Sequence, residues 1–504
     1  MLFPLILLAS FLVILYIYLI WNFDYWRIRG IFSPKSMPLL GNYPKSALLL
    51  QNIMYEQQKL YEAYKTSYRF IGVFERRAPK LLILDPKLVS DIYVKYFKHF
   101  QINDSSSSFD AVLDPIFSRN IFATQYEIWR ATRPEIAPAF TRVKIKQMLP
   151  IVANSAQKMT EYIGHCIEQK TQKTFNIKDL VSRFTADTVL QCGYGLNGTT
   201  FIDKNMQLSV HKNLVHWFSP SLTKNIYNAI LAIFPLLGAI WKPSFFPREL
   251  TEWLYNITDL AIMHRQQRNS SNQQNDFLAF LLERKRLKNY TNADMTALAA
   301  IFFFNAFETS AMILAQAFYY VAHSEQCQKR LRDEIWSSLP LEKCPTIDDI
   351  DGMQYLDNIV NETLRISPSA FLLAKNCTEQ IELMDHNGMN VIIEKGTSIQ
   401  LPIYAIHHDA SFYDNPNEFR PERFESMSVN DLRKSGLFLP FGDGPRICIG
   451  QKFATYQIKF GLIEMIRHYS LSVNHKMTTA ITASALDSLL TPISDIHLDI
   501  YRLN

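Results

Sequence analysis

Long helical segments joined by a few short strands are the fold class that these 504 residues predict. Three observations carry it. Leu2 to Ile20 is 19 residues without a charge, enough for a helix to cross a hydrocarbon core. Met295 to Ala322 is apolar nearly all round with one formal charge, Glu308, as a helix covered on every side must be. The strand-like stretches are short: Phe70 to Phe74, Leu81 to Leu84, Ile392 to Glu394, Ser398 to Leu401 and Ile496 to Ile500.

Length alone suggests two to four domains. A hydrophobic content of 48% against 20% charged residues is globular, and the 34 Phe and 24 Tyr point to large aromatic-lined interiors. A net charge of +5 without a basic tract gives no reason to expect a nucleic acid partner. The six cysteines, Cys166, Cys192, Cys327, Cys344, Cys377 and Cys448, are scattered with no CxxC. That excludes a disulfide framework and a zinc module, and fits a reducing compartment with one cysteine in special use.

After the uncharged run come Trp21, Phe23, Tyr25 and Trp26 as an interfacial aromatic belt, then Arg27, Arg29 and Lys35 on the cytosolic side. A cleaved signal peptide is the other reading, but the run is too long and lacks a charged leading region and a small-residue cleavage site. The organisation read from this is an anchor over 1–26, a stiff hinge over 27–45 carrying Pro34, Pro38, Gly41 and Pro44, and one catalytic unit over 46–504. On the cytosolic side, sequons such as Asn103 and Asn269 would not be glycosylated.

Gln101 to Asp114, with Ser105 to Ser108, reads as loop. Trp129 and Arg133 at i,i+4 share a helix face and could be a surface aromatic–cation pair. Residues 150–200 read as helices. Ile226 to Phe246 is apolar with prolines between, either a core segment or a membrane-dipping lid. Gln266 to Asp276 is an exposed linker. Asn305, Glu308, Thr309, Ser310 and Gln316 make lipid exposure of the Met295–Ala322 helix expensive, so it belongs inside the protein. An acid beside a hydroxyl, Glu308 beside Thr309, can relay protons. Glu362 and Arg365 at i,i+3 would by themselves be an ordinary ion pair.

The chain is organised around Pro440 to Gly450, whose three glycines and two prolines rule out regular structure. Phe453, Ile458, Leu462, Ile463 and Ile466 then recur at roughly helical spacing. Cys448 therefore sits where a loop runs into a helix N-terminus, which favours a thiolate; the plain alternative is a cysteine packed as a small hydrophobe.

Phe441, Gly444, Arg446, Cys448 and Gly450 fit Phe-x-x-Gly-x-Arg-x-Cys-x-Gly at every fixed position. This frame resembles the haem-ligand loop of the cytochrome P450 family. The resemblance implies that Cys448 is the axial thiolate of haem b, whose electron donation favours O–O cleavage. Phe441 would pack beside the sulfur, Arg446 pair with a propionate, and Gly444 and Gly450 let backbone approach sulfur and porphyrin. Trp129 and Arg133 would grip a propionate, followed by the matching Pro138 and Phe140, and Lys375 stands where the family often has a propionate-binding Arg, keeping charge but losing the fork. Asn305-Ala306-Phe307-Glu308-Thr309-Ser310 resembles the oxygen-activating motif; Glu308 and Thr309 match, while Asn305 and Ala306 depart from it. Asn305 is expected to compete for the Thr309 hydroxyl or to anchor a polar group of one substrate, and Ala306 to stiffen a turn that usually loosens. Glu362 and Arg365 would form a buried lock with Arg423 of Pro421-Glu422-Arg423-Phe424.

The resemblance spans the chain and replaces the length-based domain count with one large, mainly helical domain with a small β-rich portion, the cytochrome P450 fold. It points to the insect microsomal, family 6-like subgroup, which oxidises xenobiotics, hormones and pheromones. It implies insertion of one atom of O2 into an apolar substrate, at the endoplasmic reticulum membrane. Electrons would come from NADPH through the FAD and FMN of cytochrome P450 reductase, with cytochrome b5 as a further partner. Arg130, Arg142, Lys144, Lys146 and Lys452 would form a docking face, although a solvated surface reads equally well. Phe109, Ile116, Phe117, Phe302, Asn305, Ala370, Phe371 and Leu489 are the pocket candidates. Two rivals remain: a reductase-independent haem-thiolate isomerase or dehydratase, and a decayed haem or ligand binder.

Overall fold

In the computed structural model, the residues described are 2–503 apart from 105–111, 123, 171, 199, 202–209, 220, 235, 238–243, 245–246, 268–275, 288, 341–342, 371–372, 475–481, 488–491 and 493. Phe109, Phe371, Leu489, most of the Gln266–Asp276 linker and part of the Ile226–Phe246 stretch lie outside them.

The helices that frame the site are α1 (Leu2–Ile20), α2 (Pro86–Tyr93), α3 (Tyr126–Ile136), α4 (Arg142–Glu168), α5 (Ile177–Tyr194), α6 (Leu222–Ile233), α7 (Asn292–Ala299), α8 (Glu308–Ala322), α9 (Gln354–Ile366) and α10 (Gln451–His468). Three small sheets accompany them. Strands β1 (Phe70–Glu75), β2 (Ala78–Ile83), β3 (Ile102–Asn103), β5 (Leu373–Asn376) and β8 (Ser398–Leu401) form one, in the order β1-β2-β8-β5-β3. Strand β4 (Thr174–Asn176) pairs with β10 (His497–Arg502), which pairs with β9 (Tyr469–Val473), and β6 (Ile381–Met384) pairs with β7 (Asn390–Ile393). Among the described residues only β2 and β8 run parallel. The mainly helical architecture with a small β-rich portion is the expected one.

Local signals explain the boundaries. Asn176 caps α5 by accepting from the Asp179 N–H, and Gly195 ends it in the left-handed region at φ 68°. Thr291 and Asp294 make a reciprocal capping box at α7. From Asn292 to Ala322 the chain is nearly continuous helix, and 83% of its most apolar window is buried. Its packing against α5 and α10 makes it the core helix, as its polar residues required.

Helix α1 is exposed from Phe3 to Ile14 and is a candidate membrane anchor. Trp26 is not part of an interfacial belt. It is 1% exposed, its indole N–H donates to the Val73 carbonyl at 3.1 Å, and a Cβ on Gly72 would collide with its ring at 2.1 Å. Tyr43, in the proline-rich stretch, is likewise core.

Candidate active site

The loop carrying Cys448 is shaped by close approach. Gly444 has φ 66°, and a Cβ there would lie 2.0 Å from the Tyr93 carbonyl oxygen at the end of α2. Its missing side chain thus admits α2. Gly450, at φ −89°, faces open space. The Cys448 N–H donates to the Phe441 carbonyl at 3.0 Å, closing the loop around the thiol. Phe441 packs against the main core. Cys448 is accessible, yet its sulfur is crowded by protein. Burial pushes its thiol pKa up, and the Gly450 N–H, the Arg133 guanidinium and the Gln451 N–H work against that rise.

Beside the thiol lies a cluster of cations. Arg133, from α3, donates to the Ile447 carbonyl at 2.7 Å, one residue before Cys448. The Arg446 guanidinium lies over the Trp129 ring at 4.4 Å, so the two residues expected to act separately are stacked together. Lys375 on β5 is 2% exposed, with its ammonium 3.5 Å from Asn103 Oδ1 and 5.2 Å from the centre of the Tyr93 ring. Burial first, then Arg446, brings the Lys375 pKa down to about 7; burial, then Arg133, brings Arg446 to about 10. Arg446 Nε and Nη2 are buried without a hydrogen-bond partner, and none of the three cations meets a carboxylate among the described residues. Such a cluster is costly unless a dianion joins it. The two carboxylates of haem b fit that need, and Cys448 is the residue that would ligate its iron. No group of three His, Cys, Asp or Glu among the described residues could hold a bare metal ion. Where haem is bound, Arg446, Arg133, Lys375 and Trp129 would hold its carboxylate edge.

The core helix carries the second group of expected site residues. Between α7 and α8 the residues Phe303–Phe307 are π-helical. Ala306 therefore does not stiffen the turn; the helix loosens there as π-turns at functional sites do. The Thr309 hydroxyl donates to the backbone carbonyl of Asn305 at 2.7 Å, not to its amide, which corrects the expected competition. Asn305 is exposed, and Thr309 and Ala306 are half-buried, on a helix otherwise buried, so these three form its accessible face. Glu308 points away, 9% exposed, and its carboxylate pairs with the Lys178 ammonium of α5. Sequence reasoning missed Lys178, whose partner is 130 residues away.

The expected lock is complete. Arg365 donates to Glu362 from Nε at 2.7 Å and from Nη2 at 2.9 Å, and Arg423 Nε donates to Glu362 Oε1 at 2.9 Å. The remaining Arg365 donors reach the carbonyls of His407, Pro416 and Glu418.

Among the pocket candidates, Ile116 and Phe117 line a small void with Leu254 and Phe304, and the Phe117 ring meets Phe304 edge-on at 5.3 Å. Phe302 is a correction: its ring packs on Phe140, Phe277 and Phe453, so it joins the core helix to α10. Phe304, which the sequence reading did not single out, shares that void. Ala370 is half-buried just past α9. Of the basic face, Arg142 pairs with Asp348 and Asp351 and Lys146 approaches Asp348, while Arg130, Lys144 and Lys452 form no ion pair among the described residues.

Comparison with known proteins agrees with this geometry. The cytochrome P450 family model matches residues 32–499. The chain is 32% identical to "Probable cytochrome P450 28a5" of Drosophila melanogaster, over 92% of each chain, and 30% identical to "Probable cytochrome P450 28d1" of the same fly, over 94% of this chain and 93% of that one. It is 28% identical to "Cytochrome P450 6k1" of Blattella germanica, over 98% of this chain and 96% of the other. A thiol loop, a buried cation cluster, a loosened core helix and an Arg–Glu–Arg lock, matched over nine-tenths of the sequence, have one common account: the chain belongs to the cytochrome P450 family, the haem-thiolate monooxygenases.

Proposed function

We propose that this chain is a membrane-anchored monooxygenase of the endoplasmic reticulum, its catalytic unit over 46–504 on the cytosolic face, that oxidises lipophilic xenobiotics, hormones or pheromones. Electrons come from NADPH through the FAD and FMN of cytochrome P450 reductase, with cytochrome b5 as a second donor. The supporting observation is the pairing of a ligand-ready Cys448 loop with a proton-handling acid and alcohol on the facing helix. Haem b supplies the iron that binds and reduces O2. The residues do the rest. Cys448 donates electron density, and Arg446, Arg133 and Lys375 hold the carboxylate edge. Phe117, Phe304 and Ile116 exclude water around an apolar substrate, while Asn305 offers an amide to a polar group on it. Thr309 holds a proton at its hydroxyl on the accessible face of the core helix, and Glu308, beside Lys178, passes protons inward from outside the pocket.

Full-length protein reconstituted with the reductase should consume NADPH when presented with members of a lipophilic compound panel, and release oxygenated product. Its ferrous carbon monoxide complex should show the strongly red-shifted Soret band of thiolate ligation, lost in Cys448→Ser. Turnover that ignores NADPH and proceeds with a peroxide substrate would replace this reading with an isomerase or dehydratase.

A further inference from the structure

A single imidazole joins the Arg–Glu–Arg lock to the start of the thiol loop. His407 is fully buried. One ring nitrogen, Nε2, lies 3.0 Å from the Leu439 backbone N–H; the other, Nδ1, lies 3.2 Å from the Arg365 carbonyl oxygen. A backbone N–H can only donate and a carbonyl can only accept. Both ends therefore demand the same neutral tautomer: hydrogen on Nδ1, lone pair on Nε2. Arg365 is the second-last residue of α9, where helix carbonyls have no partner of their own. Leu439 opens the segment that becomes the loop. Its carbonyl accepts from the Gly442 N–H at 3.1 Å, and the Phe441 carbonyl accepts from the Cys448 N–H at 3.0 Å. The ring is clamped on its other face by Phe438, stacked at 5.4 Å. Arg365 also returns a contact, donating from Nη1 to the His407 carbonyl at 2.8 Å.

We propose that His407 is a positioning residue for the thiolate: it is a rigid, neutral strut that fixes the height of the Cys448 loop relative to the end of α9. The proposal rests on the haem-thiolate reading. A charged imidazolium could not serve, because it has no acceptor for Leu439. An apolar residue would fill the space but leave the Leu439 N–H and the Arg365 carbonyl buried without partners. A glutamine amide carries one donor and one acceptor, and can replace both contacts.

The test uses full-length holoprotein of the wild type, His407→Leu and His407→Gln. The readouts are the fraction of ferrous carbon monoxide complex carrying the red-shifted Soret band, its half-life at constant temperature, and the haem reduction potential. The expected result is that His407→Leu shortens the half-life of the red-shifted form roughly tenfold and moves the potential, while His407→Gln restores both. Should His407→Leu yield no holoprotein, a red-shifted and long-lived His407→Gln still supports the strut, and a Gln variant without the band overturns it. Equal damage in both holoproteins means the site needs the shape of the ring rather than its hydrogen bonds, and the proposal fails. Wild-type behaviour in His407→Leu overturns it as well. A wild type that itself lacks the red-shifted band overturns the thiolate reading, and the strut with it.

Discussion

The Lys178 ammonium and the Glu308 carboxylate form an ion pair between the first turn of α5 and the first turn of α8. The pair is largely covered, with side-chain exposures of 23% and 11%. Glu308 follows directly on the π-turn that opens the helix beside Thr309, so the carboxylate connects the far side of that helix to its accessible face. Removing the cation from one side leaves a carboxylate that is costly to keep buried.

Lys178→Met should therefore slow oxygenation more than it weakens substrate binding. We expect Glu308→Gln to lower kcat by about 10²-fold, with a larger solvent isotope effect and more peroxide released per NADPH. Lys178→Met should shift the same two readouts in the same direction by a smaller factor. A Lys178 variant with raised KM and unchanged peroxide release would separate the lysine from proton handling.

Asn305→Ala carries a different expectation. The Thr309 hydroxyl is satisfied by the Asn305 backbone carbonyl, which the substitution leaves in place. Peroxide released per NADPH should stay at the wild-type value, while affinity for substrates bearing a hydroxyl or carbonyl falls by roughly tenfold, the contribution of one hydrogen bond in a dry pocket. Binding titrations followed by the haem spectrum, run beside a peroxide assay, check both halves. A drop in peroxide would mean that the amide, not the carbonyl, governs the hydroxyl.

Acid should destabilise the fold through two adjacent histidines. Burial, then His408, then Arg365, push His407 well below its ordinary 6.5, and burial followed by Arg365 brings His408 to about 3. Below 6.5 the unfolded chain binds protons that the folded chain refuses, so stability is full above that value and falls as pH drops through it. Each group can contribute up to about 1.4 kcal/mol per pH unit. The neighbouring Asp409, held by Lys65 and Tyr61, has a lowered pKa and stays charged through this window, so it does not offset the loss. Denaturant melts at about pH 7.5 and about pH 5.5 should show a lower midpoint at the acid value, with the drop reduced in His408→Gln.

The parts of this site that were legible in the sequence are those whose partners are close along the chain or fixed by spacing. Cys448, Arg446 and Phe441 belong to one loop, and Glu362 and Arg365 to one helical turn. Lys178 was illegible because nothing near it in sequence announces a partner 130 residues away. Phe302 was a pocket candidate by resemblance, which does not register that a π-turn follows it; one extra residue rotates everything before it by about 100° around the axis. Regular helical counting back from Thr309 therefore fails at that point. The sequence frame around Gly444 announces a close approach but not every partner, and the carbonyl of Tyr93 on α2 is one that sequence alone does not show.

The candidate anchor α1 gives the last prediction. At its inner end Tyr18 touches the rest of the protein: its hydroxyl donates to the Ile233 carbonyl at 2.9 Å and its ring stacks on Phe234 at 5.7 Å. Arg77, at the β1–β2 turn, lies 3.6 Å over the same ring and also donates to Ile233 at 3.0 Å. Around that contact Ile226, Ile230, Phe234, Leu236 and Leu237 are exposed, which speaks against a core role for the described part of this stretch. Apolar side chains held beside the end of an anchor helix add their own affinity for the bilayer. Removing residues 1–25 should therefore leave a protein with an intact red-shifted carbon monoxide band that is only partly released from microsomes. Adding Ile226→Ser and Ile230→Ser should complete the release, since both face outward on α6. Extending the deletion by one residue removes Trp26, a buried side chain filling the space over Gly72, and should cost about 3–5 kcal/mol of stability. Sedimentation of the three truncated proteins with and without membranes, followed by thermal melts, decides each step. Complete release by the first deletion alone would show that α1 is the sole membrane contact.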